Sequence, residues 1–454
     1  MELVGTYDVV VAGAGIAGVV AALRAAREGA KTLLLEGSGF LGGLVTGGRQ
    51  TKPTGVINGG TFRELLDNCI AYKGADPVQR ESFWGAYTGA FDAETMERVM
   101  MEAVEKAGVE VLLHAPVVQA VKEGNAVRAV EVQTKSGRKL IVGNVFVDAT
   151  GDGDLAALAG AEFMLGREKD GLTQPITSYL RVLNVNIPAL VEDCKTHMDD
   201  MWELTIPEKG NCNEDYVLVF FTTGFTKRIQ EAKKEGFNWI VPKDHMSLKA
   251  GVIPGEIIVN VTRVQGNALD FRTLSRAEFD VRKQAYCAFD FLKRYVKGFE
   301  NAVFLEVAPK LGVRETRRIK CRYVLTGADV RGRVRFDDAI GLCNSPVDIH
   351  EPGGVRATME NVGTGYAIPL RCMVPEKIEG LFVAGRCISV DTTAFGSTRN
   401  LPACAMTGEA AGVAAAYCAI HGVGTSEIPV AAVQERLHAA GVVLGNKPDA
   451  ASAR

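Results

Sequence analysis

A short apolar run, Tyr7-Asp8-Val9-Val10-Val11-Ala12, stops on Gly13. Such a run bounded by glycine predicts a buried strand. Small and apolar residues then continue through Glu28 and predict a helix, with Gly29 where a C-cap belongs. Lys31-Thr32-Leu33-Leu34-Leu35-Glu36 reads as a second strand. Residues 91–107 follow a helical period closed by Gly108, and residues 109–113 form a short strand. Between 117 and 145 apolar and polar positions alternate, with turn signals at Gly124-Asn125 and Ser136-Gly137, which predicts a β-meander. Residues 145–151 return as a separate buried strand. From about 161 to 342 the aromatic and charged content rises and mixed helices and strands replace this pattern. Near Gly380 the earlier style resumes with a strand at 380–385 and a helix of small residues at 402–420. The pattern predicts an α/β chain. Residues 1–160 and 343–446 build one discontinuous domain, a parallel sheet plus meander. Residues 161–342 form an inserted α+β domain and residues 447–454 a frayed tail.

The junction of the first strand and helix carries chemistry. Gly13-Ala14-Gly15-Ile16-Ala17-Gly18 is G-x-G-x-x-G set between a strand and a helix, with an acid, Glu36, closing the next strand. Gly13 permits the tight turn, Gly15 lets a pyrophosphate approach the backbone, and Gly18 lets helix and strand pack closely. The amides of Ile16 and Ala17 open the helix, whose N-terminus favours phosphate, and Glu36 is placed for ribose hydroxyls. This is the signature of a Rossmann-like dinucleotide site. Gly151-Asp152-Gly153 also follows a strand, but Asp152 and Asp154 would set two carboxylates beside a pyrophosphate. One dinucleotide per chain is therefore expected.

Composition excludes more than it assigns. The net charge of −3 over 454 residues, without a basic block, argues against nucleic acid as a partner. The first strand starts almost at once, leaving no room for a signal peptide, and a cytoplasmic setting is expected. The helix at 402–420 is interrupted by Glu409 and reads as an interior helix rather than a membrane span. The ten cysteines include no C-x-x-C pair, which disfavours a metal site, an iron–sulfur cluster and disulfide exchange.

Further segments carry a resemblance. Residues 149–160 (Ala149-Thr150-Gly151-Asp152-Gly153-Asp154 onward), 312–319, 365–375, 380–389 and 396–412 resemble FAD-dependent oxidoreductases related to fumarate-reductase-type flavoproteins and to the flavin subunit of heterodisulfide reductase. The resemblance implies one FAD per chain. It places Ala149, Gly151, Asp152, Gly385, Arg386, Arg399, Asn400 and Leu401 against the cofactor. Pro402 suits the first helical turn, and the amides after Leu401 would face the flavin N1/C2=O edge. Gly42, Gly43 and Thr46 are expected beside the flavin, where larger side chains would crowd it. In many relatives an acid follows the glycine of the last strand. Here Arg386 follows Gly385, and Asp152 is the best alternative acid.

The candidate chemistry follows from that reading. His350, in the polar loop Asp348-Ile349-His350-Glu351-Pro352-Gly353-Gly354, could act as acid or base. Arg314, Arg317, Arg371 and Arg399 suggest an anionic substrate, since guanidinium groups grip carboxylates bidentately. Tyr366 could offer its hydroxyl. The expectation is hydride transfer between a small, anionic substrate and flavin N5. A non-redox hydratase or isomerase and an electron-relay subunit remain alternatives. The electron donor or acceptor, covalent flavin attachment and a homo-oligomeric state stay open.

Overall fold

The computed structural model describes residues 2–57, 59–76, 80–82, 85–87, 90–205, 221–354 and 357–445; the tail expected at 447–454 lies outside the described residues. Strand β1 (Glu2–Ala12) starts before the apolar run because its polar first half also finds a ladder partner. It leads through the glycine loop into α1 (Ile16–Arg27), and β2 (Thr32–Leu35) returns parallel beside it. Helix α2 (Ala93–Lys106) starts where the Asp92 carboxylate accepts from the Thr95 amide at 2.8 Å, and it feeds β3 (Glu110–Leu112).

The meander consists of β4 (Val117–Glu123), β5 (Ala126–Thr134) and β6 (Gly137–Asp148). The separate strand expected after residue 145 is not separate, because β6 runs unbroken through both. Its first half pairs antiparallel with β5, its last residues pair parallel with Leu381–Val383, and β1 lies along its other edge. The change in sequence pattern marks a change of surroundings along one strand, from half-exposed meander to sheet interior. The sheet order is β3-β2-β1-β6-β5-β4.

The insertion has its own core. Strands β7 (Tyr179–Leu183), β8 (Met201–Thr205), β9 (Phe221–Gly224), β10 (Met246–Ala250), β11 (Ile257–Asn260) and β12 (Val303–Val307) form an antiparallel sheet in the order β8-β9-β10-β11-β7-β12. Alternation gives it two faces. Leu180, Val182, Leu248, Ile257 and Val259 pack with Ala285, Ala288, Phe291 and Leu292 of the long helix α3 (Phe271–Tyr295). Phe221, Lys249, Ile258, Arg181 and Glu306 stand side by side across five strands on the opposite face. There the first domain meets them: Arg49 Nε lies 2.7 Å from Glu306, and Lys52 Nζ sits 3.8 Å over the Phe221 ring.

The chain rejoins the first core earlier than the expected return at residue 343. Ile319, Leu325, Val330 and Phe336 already pack there, after Arg317–Ile319 pairs with Phe163–Leu165.

The closing helix α4 (Leu401–His421) lies against α1 with backbones nearly touching. A Cβ on Gly408 would sit 2.2 Å from the Ala17 carbonyl oxygen, and one on Gly412 would sit 2.3 Å from that of Ala21. Glu409, the charge interrupting this helix, is buried and accepts from the Thr61 amide at 2.8 Å and the Thr61 hydroxyl at 3.0 Å. Among the described residues α4 is the one helix long and apolar enough to cross a membrane, and 78% of its apolar window is buried inside the protein.

Candidate active site

The glycine loop is shaped by what each glycine lacks. Gly13 has φ +91° and its missing Cβ would sit 2.6 Å from the Ala149 carbonyl oxygen; that of Gly18 would sit 1.8 Å from the Gly13 carbonyl oxygen. A Cβ on Gly15, by contrast, would meet nothing within 4 Å, so space opens in front of the loop. Helix α1 starts on Gly15 with no side-chain cap and no acid in its first turn, leaving the leading amides, Ile16 and Ala17 among them, to an outside anion. Gly42 and Gly43 close over the loop. The Gly42 amide donates to the Ala14 carbonyl at 2.7 Å, and a Cβ on Gly43 would sit 3.0 Å from Gly15 Cα. Thr46, expected beside the flavin with these glycines, lies in the same turn. It is buried, and its hydroxyl donates to the Leu41 carbonyl within its own turn.

Glu36 closes β2 with a buried carboxylate that accepts from the Ala14 amide at 2.8 Å and from the Ser38 amide and hydroxyl at 2.8 and 2.6 Å. Burial opposes its charge, but Lys310 and these donors hold it below the ordinary carboxylate range.

The two carboxylates after Gly151 are answered by arginines. Arg386 Nη2 donates to Asp152 at 3.0 Å, and Arg317 Nη1 donates to the Asp154 carboxylate at 2.8 Å and to the Asp152 carbonyl at 3.1 Å. Arg317, a candidate for an anionic substrate, here holds this loop through Asp154, while its buried Nε has no hydrogen-bond partner among the described residues. Gly151 has φ +79°, and a Cβ there would strike Arg386 Nη2 at 2.6 Å. Gly385 puts its amide on the Thr407 hydroxyl at 2.9 Å, and Arg386 keeps a buried Nη1 with no hydrogen-bond partner among the described residues.

Two other candidates lie elsewhere. Tyr366 is fully buried and its hydroxyl donates to Ser397 Oγ at 2.7 Å, so it offers nothing to a ligand. The Arg371 side chain is 44% exposed and lies over the Tyr323 and Phe336 rings, 3.7 Å from Asp338.

At that interface a cluster of charges does assemble. Arg399, just before α4, donates through Nη2 to the Asp348 carboxylate and carbonyl, each at 2.7 Å. Asn400 ties the same turn to the Pro346 and Gly396 carbonyls, and α4 begins at Leu401 with no side-chain cap. His350 Nε2 lies 3.4 Å from Asp348 Oδ1, and its amide donates to Gln174 Oε1 at 3.0 Å. Arg314 is anchored on the Pro175 carbonyl at 2.6 Å, and its charge acts on Asp348, His350, Tyr179 and Lys243 together.

The electrostatics follow from two acids among several cations: Asp348, and the buried Glu315, which accepts from the Gln174 amide at 2.9 Å and feels the Arg399 charge. Burial would raise the Asp348 carboxyl, but His350, Arg399 and Arg314 hold it well below the usual range. Burial, then the Arg314 charge, pushes His350 down to about 3, so the imidazole is neutral near pH 7. Burial and then Arg399 lower Arg314 to about 10. Arg399 Nε and Gln174 Nε2 are buried without partners among the described residues. Sequence reasoning missed Gln174, Tyr179, Lys243 and Arg263, which come from the insertion and carry no local motif. Asp348 stood in a segment singled out for His350.

The residues fit an extended flavin dinucleotide. One uncapped helix and open glycine loop stand at one end, with a buried acid for ribose. A second uncapped helix and the orphaned Arg386 stand at the other. A family described as FAD dependent oxidoreductase matches residues 8–437. No curated protein matches the sequence. Among solved structures the chain is similar to GidA of Aquifex aeolicus, at 16% identity over 93% of this chain and 64% of that one, TM-score 0.51. It is also similar to the flavin-dependent brominase Bmp2, at 16% identity over 92% and 80%, TM-score 0.48. A third is the p-nitrophenol 4-monooxygenase PnpA of Pseudomonas putida DLL-E4, at 14% identity over 96% and 84%, TM-score 0.47. Such low identities speak to the fold alone. The family match spans nearly the whole chain, and the chain belongs to the FAD dependent oxidoreductase family, with FAD as its cofactor.

Proposed function

We propose that this chain oxidises or reduces a small carboxylate-bearing substrate held between the FAD domain and the inserted sheet. The finer kinship to fumarate-reductase-type flavoproteins and the heterodisulfide reductase flavin subunit belongs to the same proposal, on the strength of residues 312–319 and 365–412. Bound FAD supplies a two-electron centre that exchanges a hydride at N5. The chain's own residues bind, orient and exclude water.

The observation that carries the reading is the charge imbalance around Asp348. Its single carboxylate is shared by Arg399 and Arg314, while the Arg399 Nε and Gln174 Nε2 donors stay unsatisfied. A buried donor without a partner is costly, and an incoming carboxylate would satisfy several at once. Asp348 sets the Arg399 fork, Arg314 braces against Pro175, and the charges of both arginines act on the Tyr179 hydroxyl. The sheet of the insertion covers the site and keeps the dielectric low, which strengthens each contact.

The test is anaerobic mixing of FAD-loaded protein with hydroxy acids, amino acids and, after chemical reduction, unsaturated acids. Bleaching or recovery of the flavin's visible band by a carboxylate, and not by its amide or ester, is the expected result. Equal response to neutral analogues would overturn the anionic reading.

A further inference from the structure

Lys243 precedes β10 in the inserted domain and is only 6% exposed. Lysines are almost never that buried without an acidic partner. Among the described residues none stands within ion-pair distance of its ammonium, whereas its backbone is fixed, its carbonyl accepting from Trp239 Nε1 at 3.0 Å. The charged groups facing it come from several elements. Arg314 and Arg263 repel it, and Asp348 and Asp244 attract it. Asp348 is already held by Arg399, and Asp244 lies 2.9 Å from His245 Nδ1. A lysine is thus maintained, at a cost in stability, beside the cations that would hold a carboxylate.

We propose that Lys243 is the proton-transfer residue of this pocket, acting on a 2-hydroxy or 2-amino acid whose carboxylate sits on Arg314 and Arg399. The inference rests on the anionic reading above. In the oxidative direction the substrate C–H bond breaks and its electron pair leaves with the hydrogen, as hydride, to FAD. The O–H or N–H bond breaks toward the Lys243 amine, and its electron pair becomes the second bond of the carbonyl or imine. Lys243 ends as an ammonium, and reduction reverses each transfer. Burial and the charges of Arg314 and Arg263 push Lys243 down to about 7, so free amine and ammonium are both populated near neutrality.

Oxalate, an anion with no hydrogen to give, tests the protonation without turnover. Its binding to FAD-loaded protein is followed by perturbation of the flavin spectrum, and proton exchange by an indicator dye in weak buffer. The wild type should take up about one proton per oxalate near pH 8, its affinity falling about tenfold per pH unit above that. Lys243→Met should bind with no uptake and a flat pH dependence. Lys243→Arg, which stays charged, should bind tightly with the same flat profile, and it serves if the Met variant does not load FAD. Uptake that survives in Lys243→Met, or that vanishes instead in His350→Gln, overturns the assignment while leaving the anionic site standing. Wild-type protein that binds no oxalate overturns both.

Discussion

Arg399 meets Asp348 twice, donating from one nitrogen to its carboxylate and to its backbone carbonyl, each at 2.7 Å. The pair joins the loop returning from the insertion to the turn that starts the closing helix, so the Asp348 loop and the uncapped start of that helix are set together. Asp348→Ala keeps the carbonyl contact but leaves Arg399 and Arg314 facing each other without a counter-charge. The loss should be about 2 kcal/mol in urea unfolding near pH 7. Oxalate should restore much of it, because the anion takes the vacated place, whereas it should stabilise the wild type less. Equal stabilisation of both proteins would show that the anion does not replace the lost carboxylate.

The closing helix depends on missing side chains. A methyl group on Gly408 would lie 2.2 Å from the Ala17 carbonyl, which is backbone and cannot step aside. Gly408→Ala should therefore separate the two helices, costing about 2 kcal/mol or more. Both helices begin uncapped, and on the proposal that these two ends hold FAD the purified variant should also carry less flavin per chain. A variant with lowered thermal stability but full flavin content would uncouple the packing from the cofactor site.

Much of the nucleotide end was legible because its constraints are local. Gly13, Gly15, Gly18 and Glu36 act within one strand–loop–helix–strand unit, and the register of those few residues carries the geometry. At the other end the motifs gave positions and not directions. Arg399 and Asn400 stand at the turn that opens the closing helix, bonded to Asp348 and Pro346, whereas Arg317 and Arg371, from segments equally alike, turn to Asp154 and to two aromatic rings. Direction of a side chain depends on neighbours distant in the chain, and no motif encodes it. The wall supplied by the insertion was not legible at all. Tyr179, Lys243 and Arg263 gain meaning only when an antiparallel sheet of non-sequential strands folds back over the first domain.

Arg386 and Arg317 separate cofactor from substrate. Both neutralise the loop at Asp152 and Asp154, and each keeps one buried nitrogen, Arg386 Nη1 and Arg317 Nε, without a hydrogen-bond partner among the described residues. Arg386→Met should weaken FAD binding about tenfold or more, equivalent to about 1.4 kcal/mol, by fluorescence titration of the apoprotein. Arg317→Met should have a smaller effect of the same kind. Neither should alter oxalate affinity once FAD is saturating, in contrast to Arg314→Met, which should abolish oxalate binding with flavin retained. Loss of flavin from Arg314→Met would reassign that arginine to the cofactor.

Lys249 gives the pH dependence of stability a definite sign. It is 7% exposed, with its ammonium 4.5 Å from the centre of the Tyr179 ring, and burial together with the Lys52 charge lowers it from its ordinary value to about 7. Below pH 7 both folded and unfolded chains carry the proton, and the full penalty of a buried ammonium falls on the fold. Between pH 7 and the unfolded value near 10.4 the unfolded chain binds more protons, so stability rises with pH through that window. Above it the penalty is gone. Lys249→Met should therefore stabilise the protein most at about pH 6, and the gain should shrink steadily toward pH 9. Urea unfolding of both proteins at the two pH values reads this directly. A gain independent of pH would mean that packing, not the charge, is what the lysine costs the fold.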